Sequence, residues 1–339
     1  MSAQIHGRYF GNAKPLFWLY IKTTLLTLVT LGVYRFWAKT RIRKYIWSAT
    51  SADDDTFEYT GTGLEKLLGF LIAIVILAVY LGIVQMVLAY FGMFGFGEPA
   101  TQAEALAQMS GLYLSALAVL PLTLFARYRA RRYRMSRTRW RGLRFGMDNA
   151  VWGFVWRGLM YNALTAVTLG ALLPLQTFRL EKYMADRSSF GDAQFAQGGT
   201  WTDLYRGMLH LGIGLVIIVI SLTPVLVAVL NGTFELSMDD NGQFVFDTFG
   251  YPMGMTVGSI WAAVGFVIYR VYAFNYMTQN KVLDGQVSFA SAVSAPKVIG
   301  IAVVGYLCIL VLFAALFALV ILIVSGMFSM AGAPGAGMS

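Results

Sequence analysis

The stretch Leu26-Thr27-Leu28-Val29-Thr30-Leu31-Gly32-Val33-Tyr34-Arg35-Phe36-Trp37-Ala38-Lys39-Thr40-Arg41-Ile42-Arg43-Lys44-Tyr45 joins the end of an apolar run, Leu16–Trp37, to a basic arm. A helix needs about 20 apolar residues to cross a bilayer. This run has the length, but it carries Lys22 and the tripeptide Thr30-Leu31-Gly32. A second run, Trp152–Phe178, carries Arg157, the same tripeptide at Thr168-Leu169-Gly170, and Pro174. Gly and Pro break helices at membrane depth only where protein covers the freed backbone groups. How these two runs are read decides the fold.

Around them lie five cleaner runs: Leu67–Phe91, Gly111–Phe125, Leu209–Leu230, Thr256–Val271 and Val298–Val324. Of 339 residues, 58% are hydrophobic and 13% charged, with 35 Gly and a net charge of +9. The mean hydropathy is +0.63. Soluble domains have about 45–50% apolar and about 25% charged residues, so a multi-pass membrane protein is expected. If all seven runs cross, Lys and Arg fall on both faces of the membrane. If the two Thr-Leu-Gly runs enter and leave on one side, or lie in the interface, segments 1–14, 35–66, 127–150, 179–206 and 270–297 share one face. Those segments hold every Lys and Arg outside an apolar run. Loops 93–106 and 232–253 carry acids and no basic residue. Basic loops stay cytoplasmic. The expected fold is therefore an all-α integral membrane protein, a duplicated helical bundle with five spanning helices plus two re-entrant or interfacial helices and small cytoplasmic basic arms. The N-terminus is then cytoplasmic and the C-terminus periplasmic; seven spans are the alternative. The first apolar run lacks a cleavage site, so no signal peptide is expected. Ala333-Pro334-Gly335-Ala336-Gly337 reads as a flexible tail.

The chain repeats itself at an offset of 138. Trp18 meets Trp156, Leu26-Thr27 meets Leu164-Thr165, and Thr30-Leu31-Gly32 meets Thr168-Leu169-Gly170. Arg41 then meets Arg179, Lys44-Tyr45 meets Lys182-Tyr183, and Phe57 meets Phe195. At an offset of 88 the arm recurs: Arg41 and Arg43 meet Arg129 and Arg131, Tyr45 meets Tyr133, and Phe57 meets Phe145. A degenerate fourth arm follows at Tyr272–Phe289, with Tyr276 in the tyrosine place. These offsets divide the chain into residues 1–146, a first membrane repeat; 147–295, a second; and 296–339, an extra span and tail. The copies share one topology if the Thr-Leu-Gly runs do not cross. If they cross, the copies are inverted, as in secondary transporters.

The arms carry the candidate ligand-binding residues: Trp37, Arg41, Arg43 and Tyr45, then Arg129, Arg131, Arg132 and Tyr133, then Arg179 and Tyr183. Guanidiniums bind phosphate bidentately, and aromatics between them suit headgroup depth. The first reading is topogenic charge in contact with anionic lipid, each basic residue contributing about 1 kcal/mol there. The second is a defined lipid or phosphorylated-ligand site. Nucleic-acid binding is the least favoured, because no nucleic-acid-binding motif accompanies the arms. Short segments after each arm, Thr56–Thr60, Leu143–Gly146 and Gln194–Ala196, read as strands of a small sheet or as loops with one buried aromatic. Thr30, Gly32, Thr168, Gly170 and Pro174 are the candidate helix breaks. Lys22 and Arg157, inside apolar runs, are functional candidates or snorkel to headgroups. Asn162 is a candidate interhelical hydrogen-bonder.

Little points to catalysis. Cys308 is the single cysteine, and His6 and His210 are the only histidines. No metal-ligand spacing, nucleophile–base pair or phosphate loop appears, so no enzyme, metal or cofactor is expected.

The motif Thr-Leu-Gly-x-Tyr-x-x-Trp-Ala-x-x-Arg-x-Arg-x-Tyr at 30–45, followed by Phe57 and Gly61, resembles the repeated signature of the YjgN family, bacterial inner-membrane proteins of unknown function. The resemblance covers nearly the whole chain. In the second copy Leu175-Gln176 replace Trp37-Ala38, while Pro174 suits the family's pattern; Asn162 also fits it, where copy one has Lys22 or Thr24. The resemblance implies a bacterial cytoplasmic-membrane location and no established activity. Two function classes follow. One is a transporter, channel or lipid-handling protein with its site at the Thr-Leu-Gly helices. The other is a non-catalytic scaffold whose Arg-rich arms bind anionic lipid or a cytoplasmic protein partner. The oligomeric state is left open.

Overall fold

The computed structural model describes residues 6–95, 101–231 and 250–331. The acidic segment 235–247 and the Ala-Pro-Gly-Ala-Gly tail lie outside the described residues. The chain falls into two compact units, Met1–Trp201 with Asn280–Phe289, and Thr202–Gln279 with Ala290–Ser339. The first unit runs β1 (Gly7–Tyr9), α1 (Ala13–Val29), α2 (Arg35–Ser48), β2 (Thr50–Ala52), β3 (Asp55–Thr56), β4 (Glu58–Tyr59), α3 (Gly63–Tyr90) and α4 (Gln102–Ser136). It continues through β5 (Thr138–Trp140), β6 (Leu143–Met147), α5 (Val151–Val167), α6 (Leu173–Ala185), β7 (Ser188–Phe190) and β8 (Ala193–Gln197). The second unit holds a 3-10 turn (Thr202–Gly207), α7 (Leu209–Leu230) and α8 (Gly250–Gln279). The chain then supplies β9 (Lys281–Leu283) and β10 (Val287–Ser288) to the first unit and ends in α9 (Ala295–Ala331).

Each Thr-Leu-Gly run folds as a helical hairpin. At the first tip, the Gly32 N–H donates to the Thr27 carbonyl at 2.7 Å and the Leu31 N–H to the Leu28 carbonyl at 3.1 Å. That is a Schellman turn, which satisfies the last carbonyls of α1. Thr30 Oγ1 donates to the Leu26 carbonyl and accepts the Tyr34 N–H at 2.9 Å, closing α1 and opening α2 with one side chain. The second tip repeats the first: Gly170 N–H to Thr165 carbonyl at 2.7 Å, and Thr168 Oγ1 accepting Leu172 N–H at 3.2 Å. Leu31 and Leu169 sit at φ 49° and 48°, Gly32 and Gly170 at 92° and 90°. Left-handed backbone costs an ordinary residue roughly 1–2 kcal/mol. Both tips therefore hold a strained leucine before a glycine that is at ease there.

The feet also match. Phe10 N–H donates to the Ala49 carbonyl at 2.7 Å, and 138 residues on Asp148 N–H donates to the Arg187 carbonyl at 3.0 Å. Tyr45 Oη donates to the Asn12 carbonyl at 3.0 Å, and Tyr183 Oη to the Ala150 carbonyl at 2.9 Å. In the first hairpin β1 and β2 also pair, Tyr9 opposite Thr50. Each hairpin thus leaves and returns at one place.

Four described helices are long and apolar enough to cross a membrane: α3, α4, the Met253–Gln279 part of α8 and the Ala295–Ser325 part of α9. The run Leu209–Leu230 forms α7, whose described apolar stretch, Leu209–Pro224, is shorter. Helix α3 starts at a threonine N-cap, Thr62 Oγ1 accepting Glu65 N–H, and α4 at another, Thr101 Oγ1 accepting Glu104 N–H. Most of the α3 and α9 surface is exposed apolar side chain, as a lipid-facing helix requires. Within the second unit α7 and α8 pack closely through glycines. A Cβ at Gly265 would lie 2.4 Å from Leu211 N, and one at Gly214 2.4 Å from Ala262 N. Small residues let membrane helices approach in this way.

The fold is mostly helical, as expected, with one addition. The short segments do form a sheet rather than loops. Its seven strands lie in the order β10-β9-β8-β7-β6-β5-β4, with a separate three-stranded β1-β2-β3 sheet beside the first foot. Phe145 pairs directly with Phe190, rings 4.7 Å apart, and Phe57 and Trp140 join them. The helical core lies where α4, α5 and α6 meet, around Tyr128, Phe154, Leu180 and Met184.

Candidate functional site: the basic arms

The arms are the ends of α2, α4 and α6 nearest the hairpin feet, together with the sheet. Most of their charge is tied down within the protein. Arg131 donates through Nη1 to Glu181 at 2.7 Å, and Lys281 on β9 approaches the same carboxylate at 3.6 Å. Arg137 pairs with Glu65 at 2.9 Å, and Tyr133 Oη donates to the other Glu65 oxygen at 2.8 Å. Arg132 Nε donates to the Met147 carbonyl, and Arg43 Nη1 to Tyr59 Oη at 3.2 Å. Arg141 pairs with Asp53 and Asp55 on the surface, where solvent screens such pairs. Burial pushes the Lys281 amine below its usual range; Arg131 adds to that shift and Glu181 opposes it.

The aromatic candidates are structural in placement. Trp37 is half-buried and stacks on Tyr34; its indole covers Gly63, where a Cβ would meet it at 2.7 Å. Tyr45 closes the first foot. Tyr183 closes the second, and the guanidiniums of Arg157 and Arg187 lie over its ring at 4.8 Å and 3.7 Å. The fourth arm repeats the tie of the second: Tyr276 Oη donates to Asp203 at 2.6 Å, as Tyr133 does to Glu65.

Three candidates behave differently. Arg41, Arg129 and Arg179 are exposed. Arg41 lies over the Tyr34 ring and Arg129 over Phe125, and none of the three has a carboxylate partner among the described residues. The helix-break residues are divided. Thr30, Gly32, Thr168 and Gly170 form the tips, where Leu31 is 94% exposed, while Pro174 is buried in the first turn of α6. Lys22 and Arg157 are both exposed. Arg157 donates to the Gly153 carbonyl, and Asn162 to the Gly158 carbonyl of its own helix.

The arms also enclose an open cleft of about 590 Å³, lined by Trp47, Phe57, Arg131, Arg134, Met135 and Phe145 among others. Of its lining only Arg131 was among the candidate ligand-binding residues read from the sequence. The 88-residue offset that aligns Phe57 with Phe145 was the available signal for two of its walls. Among the described residues, no three His, Cys, Asp or Glu side chains gather as a metal would require.

A family described as bacterial protein of unknown function (DUF898) matches residues 4–322. Two Escherichia coli proteins named inner membrane protein YjgN, from O157:H7 and strain K12, are each 24% identical over 178 residues, 52% of this chain and 40% of theirs. The protein of that name from Salmonella typhimurium LT2 is 29% identical over 77 residues, 23% of this chain and 20% of its own. The chain therefore aligns with less than half the length of these curated relatives. No solved structure matches it. The family match runs across both hairpins, every arm and the sheet between them, and the chain belongs to the DUF898 family of bacterial proteins of unknown function.

Proposed function

We propose that this protein is a non-catalytic, multi-pass protein of the bacterial inner membrane that binds anionic phospholipid with its arms on the cytoplasmic side. Relatives named as inner membrane proteins support the location. Helices α3, α4, α7, α8 and α9 are the five crossings, with the N-terminus inside and the C-terminus outside. The 17 residues of α1 and 14 of α2 make legs of about 25 and 21 Å. A hydrocarbon core is about 30 Å thick, and both legs end at one foot, so the hairpins dip into the cytoplasmic leaflet and return. Residues 1–146 and 147–295 are two copies of one unit, and 296–339 an added span.

The observation that carries the lipid reading is the set Arg41, Arg129 and Arg179. They occupy one repeat position on three arms, and all three are exposed and have no carboxylate partner among the described residues, whereas Arg131 and Arg137 are paired with Glu181 and Glu65. At a surface contribution of about 1 kcal/mol each, the three supply roughly a hundredfold in affinity for anionic lipid. The test is native mass spectrometry of the protein released from phosphatidylglycerol-containing membranes. The variant with all three changed to Gln loses retained phosphatidylglycerol while inserting normally. Equal retention defeats the proposal.

A further inference from the structure

We propose that the cleft between α2, α4 and the sheet is a discrete site for a single-chain anionic amphiphile, an acidic head on an aliphatic chain. This stands apart from lipid association through Arg41, Arg129 and Arg179, none of which lines it. The cleft's volume, about 590 Å³, lies within the roughly 300–1,000 Å³ of small-molecule sites.

The lining sorts itself by chemistry. Its polar side chains, apart from Arg134, are already partnered. Thr50 Oγ1 donates to the Ile46 carbonyl, and Thr138 Oγ1 donates to the Arg134 carbonyl while accepting Trp47 Nε1–H at 3.1 Å. A sugar or nucleobase would find few groups here to recognise it. What remains is apolar wall, from Ile46, Trp47, Phe57, Met135 and Phe145, and positive charge. Arg131 has Glu181. Arg134 has no carboxylate among the described residues; its one bond is from Nε to the Ala130 carbonyl at 3.4 Å. Arg43 and Arg131 both repel it, while Tyr59 acts in the opposite sense. A guanidinium fork left free, crowded by two others and facing an aromatic wall, fits an anionic head with a hydrocarbon tail. Carboxylate and phosphate heads share that chemistry.

The test uses the full-length protein in phosphatidylcholine nanodiscs, with dibromostearate as quencher and the difference between wild type and W47F isolating Trp47 fluorescence. Quenching of Trp47 is saturable and is competed by lysophosphatidate, but not by dodecanol or inorganic phosphate. R134Q weakens it about tenfold, the loss expected of a charged hydrogen bond, and R134K restores part of it. The Arg41, Arg129 and Arg179 triple variant leaves it unchanged. Absence of a saturable Trp47 signal, equal affinity in R134Q, or equal competition by dodecanol overturns the proposal. Competition by inorganic phosphate makes it a free-anion site and also overturns it.

Discussion

Glu181 is the single carboxylate holding two cations together at the junction of α4, α6 and β9, and Glu181→Gln tests that role. Arg131, Glu181 and Lys281 side chains are 22%, 24% and 21% exposed. Removing one partner of a fully buried pair costs about 3–5 kcal/mol, and an exposed pair contributes about 0–1 kcal/mol. At this intermediate burial, Glu181→Gln costs about 2 kcal/mol. That lowers the thermal midpoint by about 5 °C, read by tryptophan fluorescence in mild detergent at neutral pH. Lys281 gives the pH dependence. Its folded pKa is held below the ordinary 10.5, so between that depressed value and 10.5 the unfolded chain binds more protons. The site's contribution to stability therefore rises with pH through that window. Without Glu181 the depression deepens. The variant's deficit is thus largest near neutrality and narrows as pH approaches 10.5. Replacing all three residues with Leu or Met removes the stranded charge and brings stability back near wild type. A deficit under about 0.5 kcal/mol, or one that widens with rising pH, refutes the reasoning.

Gly32→Ala should destabilise by about 1–2 kcal/mol through backbone strain alone, since φ is 92° and nothing lies within 4 Å of the added Cβ. Leu31→Gly should change stability in the opposite direction, and thermal melts of the pair decide it. Gly265→Leu forces α7 from α8, because the obstructing atoms are backbone, whereas Gly212→Leu, which meets nothing within 4 Å, serves as the silent control. Overpacking of this kind costs about 1–3 kcal/mol or more; cysteine cross-linking between α7 and α8 reports the separation. In a Cys308→Ser background, a cysteine at Asp192 should react with an impermeant maleimide only after the cytoplasmic face is opened, and labelling from the periplasm alone reverses the proposed topology.

The arms divide between what could be read along the chain and what could not. The 138-residue offset already paired Tyr45 with Tyr183 and Thr30-Leu31-Gly32 with its copy, and the feet and tips superimpose these residues contact for contact. The offset did not say which arginines would be taken. Arg131 meets Glu181 from 50 residues away and Arg137 meets Glu65 from 72. Neither spacing has a local signature. The sheet was open to two readings because strands of two to five residues carry too little alternation to separate them from loops.

Composition and periodicity alone established a mostly helical protein with long apolar helices, and showed a motif recurring at fixed offsets with charge gathered in the arms. These follow from what a bilayer demands of each segment taken singly: enough apolar length, and basic residues kept out of the hydrocarbon. Tertiary structure alone decided that the Thr-Leu-Gly runs double back onto closed feet, that seven scattered strands form one sheet, and that Arg131 and Arg137 find carboxylates while, among the described residues, Arg41, Arg129 and Arg179 do not. Those outcomes depend on which distant groups meet when the chain returns, and pairing between residues far apart in sequence leaves no mark on either residue's surroundings.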